Sequence, residues 1–290
     1  KEPKEPKELN ELNELNELSE TVEDYLIHTK DSFNKISDSF DEEDRENAIL
    51  QWMRNTVYEV YLSYFKKGDR LLELNAGTGI DAVYLASKGI NVLATDISNE
   101  MLGRLKDKIE KKNLQELITV ENLSFDEIDK IPEKKFDGAI SNFGGLNCIN
   151  NFDSLSESLG ERIKAGGKFI AVVMNSFCPW EIFYYLLKLD QANAFRRFNR
   201  DGIEAGLSEF KIKSFYFSPE EFAVRFEKYF EKERIYSHGL FTPPPYMFGI
   251  YDRAKPLVKA MMKMDNFTKG IFPLNRAGDH FIIVLKRRNN

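Results

Sequence analysis

Two acids bracket a glycine turn in the segment Leu71 to Ser98, LLELNAGTGIDAVYLASKGINVLATDIS. Glu73 sits near the end of a short apolar run, Gly77 and Gly79 follow it, and Asp96 falls just past a second apolar run, Ile90 to Ala94. Glycines let the backbone pass close to a ligand with no Cβ in the way. Ile80, Val83, Tyr84 and Leu85 supply the apolar face of a helix between the two runs. In a parallel strand–helix–strand unit both strand ends open on one crevice, so Glu73, the turn and Asp96 converge on one ligand, a nucleotide cofactor.

A nicotinamide dinucleotide site uses the same topology but a different spacing. Its fingerprint is G-x-G-x-x-G with a helix N-terminus aimed at a pyrophosphate. Here the pattern is Asn75-x-Gly77-x-Gly79, and Ile80 stands three residues after Gly77. The Glu73 carboxylate would repel a pyrophosphate and suits a cationic ligand. The segment resembles motifs I and II of the class I S-adenosylmethionine-dependent methyltransferases, E/D-hydrophobic-G-x-G-x-G followed by an acid after the second strand. It departs from them at Asn75, which replaces the first glycine; Asn tolerates the left-handed region better than most residues.

That resemblance implies S-adenosylmethionine as cofactor, with S-adenosylhomocysteine as product. It implies a cofactor site made of Glu73, Asn75, Ala76, Gly77, Gly79, Asp81, Asp96, Ile97 and Met101, with Leu123 and Ser124 where the adenine ring is usually held. An acid is common after the third strand, and Asn122 replaces it here. The phrase FDGAISNFGGLNC, residues 136 to 148, resembles the fourth-strand region of family members that methylate small molecules; Asn142 and Phe143 then border the methyl group. Pro243-Pro244-Pro245-Tyr246 is superficially similar to the (N/D/S)-P-P-Y motif of amino-group methyltransferases, but that motif belongs directly after the fourth strand. The proline run is read as a stiff loop.

The elements that must position these residues form an α/β fold. Helix is expected at Met101 to Lys112 and Phe152 to Ile163, strand at Leu117 to Glu121, Phe136 to Ser141 and Lys168 to Met174, and a turn at Ala165-Gly166-Gly167. Strands alternating with helices imply a doubly wound Rossmann-like sheet. A sixth strand at Glu231 to Gly239 and a last strand at Asp279 to Leu285, antiparallel as in the class, make seven. The expected division is a low-complexity tail (1–20), a helical N-terminal cap (21–66), the cofactor-binding core (67–175), an aromatic-rich lid insertion (176–230), and completion of the sheet (231–290) with an inserted helical segment (242–278). Phe33 and Phe40, with Asn47 and Arg54, are similar to the cap of small-molecule family members, in which an aromatic helical region covers the cofactor, and Phe33 and Phe40 are expected to line the substrate pocket. The lid, with Trp180 and Tyr184, together with Asn147, is expected to line an apolar, aromatic acceptor pocket. Arg196-Arg197 would meet an anionic substrate group or end a solvated helix.

Methyl transfer is an in-line displacement whose rate comes mainly from alignment and exclusion of water. A general base is needed only for a protonated acceptor, and candidates are His28 in the cap and Glu181 and Tyr184 on the lid. His238 and His280 are placed in the half-sheet away from the cofactor. No metal is expected: Asp137 begins its strand and so lies at the wrong end, and Cys148 and Cys178 are too far apart in sequence for a CxxC site.

The formal charge of −6 is concentrated in the tail, where residues 1 to 20 hold three Lys and seven Glu. The remainder is near −2, with no Lys/Arg stripe, so no nucleic-acid partner is expected. The triplet repeat of the tail brings Leu9, Leu12, Leu15 and Leu18 back every three residues, which drifts around a helix instead of holding one face. No apolar run reaches the ~18 residues of a membrane span, and a cytoplasmic enzyme acting on an apolar or aromatic small molecule is expected. A regulatory cofactor-binding module, or an RNA or protein methyltransferase, are the other readings. The residues leave the acceptor atom and the oligomeric state open.

Overall fold

The computed structural model describes residues 29–132, 135–207 and 210–289. The repeat tail and His28 lie outside the described residues.

Helical backbone over 29–36 leads into α1 (Phe40–Glu46) and α2 (Ala48–Tyr64), which together form the cap. In α2 the buried Ile49, Met53, Val57, Val60 and Tyr61 recur at helical spacing, and the Asn47 side chain caps the first turn by accepting from the amides of Ile49 and Leu50 at 3.1 Å each. Then follow β1 (Arg70–Leu74), α3 (Ile80–Ser87), β2 (Asn91–Asp96), α4 (Asn99–Lys112), β3 (Ile118–Asn122), β4 (Phe136–Ser141), α5 (Asp153–Arg162) and β5 (Ile163–Met174). Beyond β5 come α6 (Pro179–Leu187), α7 (Gln191–Ala194), a hairpin of β6 (Ile203–Leu207) and β7 (Phe210–Ser214), and α8 (Pro219–Val224). The chain closes with β8 (Phe230–His238), α9 (Phe248–Arg253), α10 (Lys255–Thr268) and β9 (His280–Arg287).

Seven strands make one sheet in the order β3-β2-β1-β4-β5-β9-β8. The pairs from β3 to β5 are parallel, and β9 is antiparallel to both β5 and β8. The expected architecture is therefore the observed one, with the reversed strand between the fifth and sixth. One local expectation fails: Ala165-Gly166-Gly167 is no turn but lies within β5, where Gly166 adopts φ +77° and the register against β4 shifts. A bulge absorbs the extra residues without ending the strand.

Both sheet faces are covered, as a parallel sheet requires. On β9, Phe281, Ile283 and Leu285 face one core while Ile282 and Val284 face the other, following the two-residue period of a strand. The first core is a phenylalanine cluster in which Phe152, Phe169, Phe222 and Phe226 pack ring against ring at 5.1–5.6 Å. The second holds α3 and α4 through Ala82, Leu85, Leu102 and Leu105. A third, smaller cluster joins Ile49 and Met53 of α2 to Val258 and Met262 of α10. The late insertion is thereby fastened to the cap, and Asn47 Nδ2 adds a hydrogen bond to the Pro245 carbonyl at 3.0 Å. The proline run serves as that fixed loop.

Candidate active site

Three left-handed residues within five set the shape of the turn after β1: Asn75 (φ +45°), Gly77 (φ +54°) and Gly79 (φ +75°). Open space lies where a Cβ of Gly77 would point, so the backbone there faces the crevice. Gly79 serves packing instead, since a Cβ would meet Leu105 Cδ1 at 2.1 Å. Asn75 holds its conformation through its side chain: Oδ1 accepts from Ser141 Oγ at 2.5 Å and Nδ2 donates to the Asn142 carbonyl at 2.8 Å.

Asp96 is the last residue of β2, one step short of the loop in which it is expected. Its Oδ2 accepts from the Gly77 amide and its Oδ1 from the Ser98 amide, both at 2.8 Å. Burial raises its pKa above the ordinary carboxylate value, against the opposing pull of those amides. Two backbone hydrogen bonds leave lone pairs of the carboxylate unused, and these can accept from a ribose diol.

Across the crevice, Asn142 and Phe143 follow β4. Asn142 Nδ2 donates to Asp81 Oδ2 at 2.6 Å, and Asp81 Oδ1 accepts from Arg54 Nη1 at 2.5 Å and Tyr58 OH at 2.8 Å. Arg54 Nη2 also reaches Asp44 Oδ1 at 2.6 Å. Burial alone would lower the Arg54 pKa, but the Asp81 and Asp44 carboxylates outweigh it and hold the guanidinium charged. A second set of contacts closes the cap from the other side: Asp41 accepts from Thr78 Oγ1 and pairs with Lys108, each at 2.5 Å, and Asn34 Oδ1 accepts from Ser98 Oγ at 2.6 Å.

The resulting cleft is lined by Asn75, Ala76, Gly77, Asp81, Asp96, Ile97, Met101, Leu123, Ser124, Asn142 and Phe143, with Phe33 and Phe40 of the cap over them. Arg54, Thr29, Phe125, Asp126, Cys148, Met174, Ile212, Ser214 and His280 also face it. Two expected residues stay outside the lining. Gly79 packs on α4, and Glu73 is buried behind the turn with Oε2 lacking a hydrogen-bond partner. Burial pushes the Glu73 pKa up strongly, and Asp81 adds to the rise.

The residues expected on the acceptor side are placed differently. Asn147 lies fully buried and ties β5 to the segment after β7, donating to the carbonyls of Met174 and Phe215 at 3.2 and 2.6 Å. Trp180 turns its indole Nε1 to the Phe241 carbonyl, and Tyr184 packs edge-on against Tyr185 and accepts from Lys188 at 2.5 Å; neither lines the cleft. Glu181 is 1% exposed and acts as a structural anion. Its Oε1 pairs with Arg196 at 2.5 Å, and its Oε2 accepts from Arg197 Nη2 at 2.6 Å and Tyr246 OH at 2.9 Å. Arg196 and Arg197 thus meet an internal acid, neither a substrate nor bulk solvent. Among the described residues, the aromatic walls come from the cap and from Phe125 and Phe143, with only Ile212 and Ser214 contributed by the insertion after β5.

His280 stands at the cleft and not in the half-sheet away from the cofactor. As the first residue of the reversed strand β9 it pairs with Met174, the last residue of β5, and so opens on the crevice. Its Nδ1 lies 2.9 Å from Asp279 Oδ2, and its ring meets Phe143 edge to face with centroids 6.0 Å apart. Arg197 fixes Asp279 in turn, Nη2 to Oδ1 at 2.7 Å. Burial would raise the Asp279 pKa, but His280 and Arg197 overcome this and hold the carboxyl well below its usual value. Cys178, Glu181 and Asp279 lie close enough together to suggest a cation site, yet Arg197 already supplies the positive charge there.

Sheet order, glycine turn, and an acid closing β2 are the arrangement of the class I S-adenosylmethionine-dependent methyltransferase fold, a class whose cofactor is S-adenosylmethionine. Residues 71–167 match the family model described as a methyltransferase domain. The chain is 27% identical over 149 residues to a demethylmenaquinone methyltransferase of Symbiobacterium thermophilum, covering 50% of this chain and 58% of that protein. It is 29% identical over 109 residues to an S-adenosyl-L-methionine-dependent Diels-Alderase of Talaromyces variabilis, covering 36% of each. It therefore spans less than two thirds of the length of either relative. An S-adenosylmethionine-dependent methyltransferase structure from Methanosarcina mazei superposes with a TM-score of 0.54 at 16% identity, covering 80% of this chain and 99% of that one, and shows the shared fold.

Proposed function

We propose that this chain transfers a methyl group from S-adenosylmethionine to a small, largely apolar acceptor. The observation that carries the reading is the continuity of one cleft from Asp96 and Gly77, through Asn142 and Phe143, to Met174 and His280, with Phe33 and Phe40 closing it from above. The residues fit the cofactor: the Asp96 carboxylate has free lone pairs at the cleft wall, the backbone at Gly77 stands open, and Leu123 and Phe125 offer apolar surface beyond β3. When bound, S-adenosylmethionine supplies an activated methyl group on a sulfonium. The chain's own part is to hold the ribose at Asp96, to align an acceptor against Phe143, and to keep water out beneath the cap, where the low dielectric strengthens each contact. A relative named for demethylmenaquinone supports an apolar acceptor. No helix among the described residues is long and apolar enough to cross a membrane.

The test is calorimetry with S-adenosylmethionine and S-adenosylhomocysteine, followed by mass spectrometry of host metabolites incubated with the protein and methyl-labelled cofactor. Binding of the cofactor and a labelled small molecule are expected. Absence of cofactor binding overturns the reading, and label appearing only on RNA or protein replaces the acceptor class.

A further inference from the structure

We infer that His280 is a general base for the acceptor, oriented by Asp279, and that the acceptor presents a hydroxyl of phenol or enol type at the His280–Phe143 end of the cleft. The inference rests on the methyltransferase reading and adds the acceptor atom to it.

Four observations carry it. The imidazole lines the cleft at the end remote from Asp96, against Phe143. Asp279 engages Nδ1 at 2.9 Å, which fixes the ring and leaves Nε2 as the free basic nitrogen. Asp279 is itself clamped by Arg197, which Glu181 holds, and Tyr246 bonds Glu181. Lastly, Gly278 adopts φ +142°, where a Cβ would meet Ser237 Oγ at 2.9 Å, so the approach to the Asp279-His280 pair is fixed by backbone geometry. Phrases that stand far apart in sequence, CPWE, FRR, PPPY and GDHF, thus converge on one chain of contacts that runs from the exposed Tyr246 to this ring. An orienting carboxylate behind a histidine is the arrangement a base needs if it is to present one defined nitrogen to substrate.

The titratable and charged groups around His280 are Asp279 just before its strand, Arg197 behind Asp279, His238 across the β8–β9 pair, and Arg54, whose guanidinium lies 4.8 Å from the Phe143 ring centre. Of the carboxylates that line the cleft, Asp81 is engaged by Arg54, Tyr58 and Asn142, while Asp96 closes β2 and Asp126 follows β3, both on the cofactor side. With no unengaged carboxylate among the described residues at the His280–Phe143 end, a neutral hydroxyl fits there better than an ammonium ion. In the step, the hydroxyl proton passes to Nε2 and the oxygen pair forms the bond to the methyl carbon. The carbon–sulfur bond breaks with its electrons left on sulfur, which turns the sulfonium into a neutral thioether.

The probe is 4-nitrophenol, added to protein saturated with S-adenosylhomocysteine at a pH where the free phenol is mostly neutral. The wild type is expected to bind it as the coloured phenolate, while His280→Asn binds it within about 3-fold but leaves it colourless, because no base remains to take the proton. Asp279→Asn, as a positioning change, should keep part of the colour. A second measurement needs no variant: with only three histidines in the chain, carbon-labelled imidazole resonances report directly, and one should shift to the protonated position when the phenol binds. Failure of S-adenosylhomocysteine to bind overturns the underlying reading. Its binding, with the phenol either excluded, neutral in the wild type, or still ionised in His280→Asn, overturns the base alone.

Discussion

Asn75 Nδ2 donates to the carbonyl of Asn142 at 2.8 Å, joining the ends of β1 and β4 directly beneath the crevice. The same side chain accepts from Ser141, and Gly145 is required beside it because a Cβ there would fall 2.3 Å from Asn75 Cγ. The residue that departs from the family's glycine is therefore part of a local unit with Ser141, Asn142 and Gly145.

This unit separates two substitutions at one position. Asn75→Gly keeps the left-handed backbone without strain but loses both side-chain hydrogen bonds, a cost of about 1–3 kcal/mol. Asn75→Ala loses the same bonds and adds the left-handed penalty of roughly 1–2 kcal/mol. Urea unfolding should rank wild type above Gly above Ala; Ala equal to Gly would mean that the turn relaxes out of its left-handed conformation.

Asp96 gives the cofactor site a pH dependence with a definite sign. Its pKa is raised by burial, so a proton competes for the carboxylate at higher pH than for an exposed aspartate. Ribose hydroxyls donate to the charged form, hence affinity for S-adenosylhomocysteine should weaken as pH falls and recover as it rises. Asp96→Asn should bind about 10- to 100-fold more weakly at neutral pH, as expected for a lost charge-assisted hydrogen bond, and should lose the acid limb. Calorimetry across pH checks both; an acid limb that persists in Asp96→Asn assigns it elsewhere.

The cofactor half was legible because its parts are local: Gly77, Gly79 and Asp96 belong to one strand–helix–strand unit, and spacing along the chain nearly determines their meeting. The acceptor half depends on long-range geometry. The position of His280 is not evident from a strand expected to reverse until the pairing is known, because reversal brings the first residue of β9, not the last, to the crevice edge beside Met174. Trp180, Glu181 and Tyr184 share α6, and only the packing of that helix decides that Glu181 points inward to Arg197 while the other two miss the cleft. For Arg196-Arg197 the local sequence offers only a substrate anion or solvent, because the acid that the pair meets lies 15 and 16 residues upstream, across a turn and another helix.

Glu73 should behave oppositely to a paired acid. Its folded pKa lies well above the unfolded value, chiefly through burial, so folding is penalised once pH rises above the unfolded carboxylate value and the penalty disappears as pH falls below it. Glu73→Gln removes the charge and should raise stability by about 1 kcal/mol at neutral pH, with the gain vanishing in acid. Unfolding midpoints measured at several pH values decide the point; a variant less stable than wild type at neutral pH would show that the carboxylate is stabilised where it stands.

Arg54 ties the cap to the core, bridging Asp44 of α1 and Asp81 of α3 from its own place on α2. All three side chains are at most 8% exposed, so removing the cation leaves two buried carboxylates uncompensated. Arg54→Ala should cost about 3–5 kcal/mol in urea unfolding. Arg54→Lys should recover less than half of that, since one ammonium cannot match a planar fork that spans both acids. Because Asp81 also receives Asn142, loosening this bridge should speed release of S-adenosylhomocysteine in stopped-flow measurements. A stable Arg54→Ala protein with unchanged release would mean that the cap is held by its apolar contacts with α10 alone.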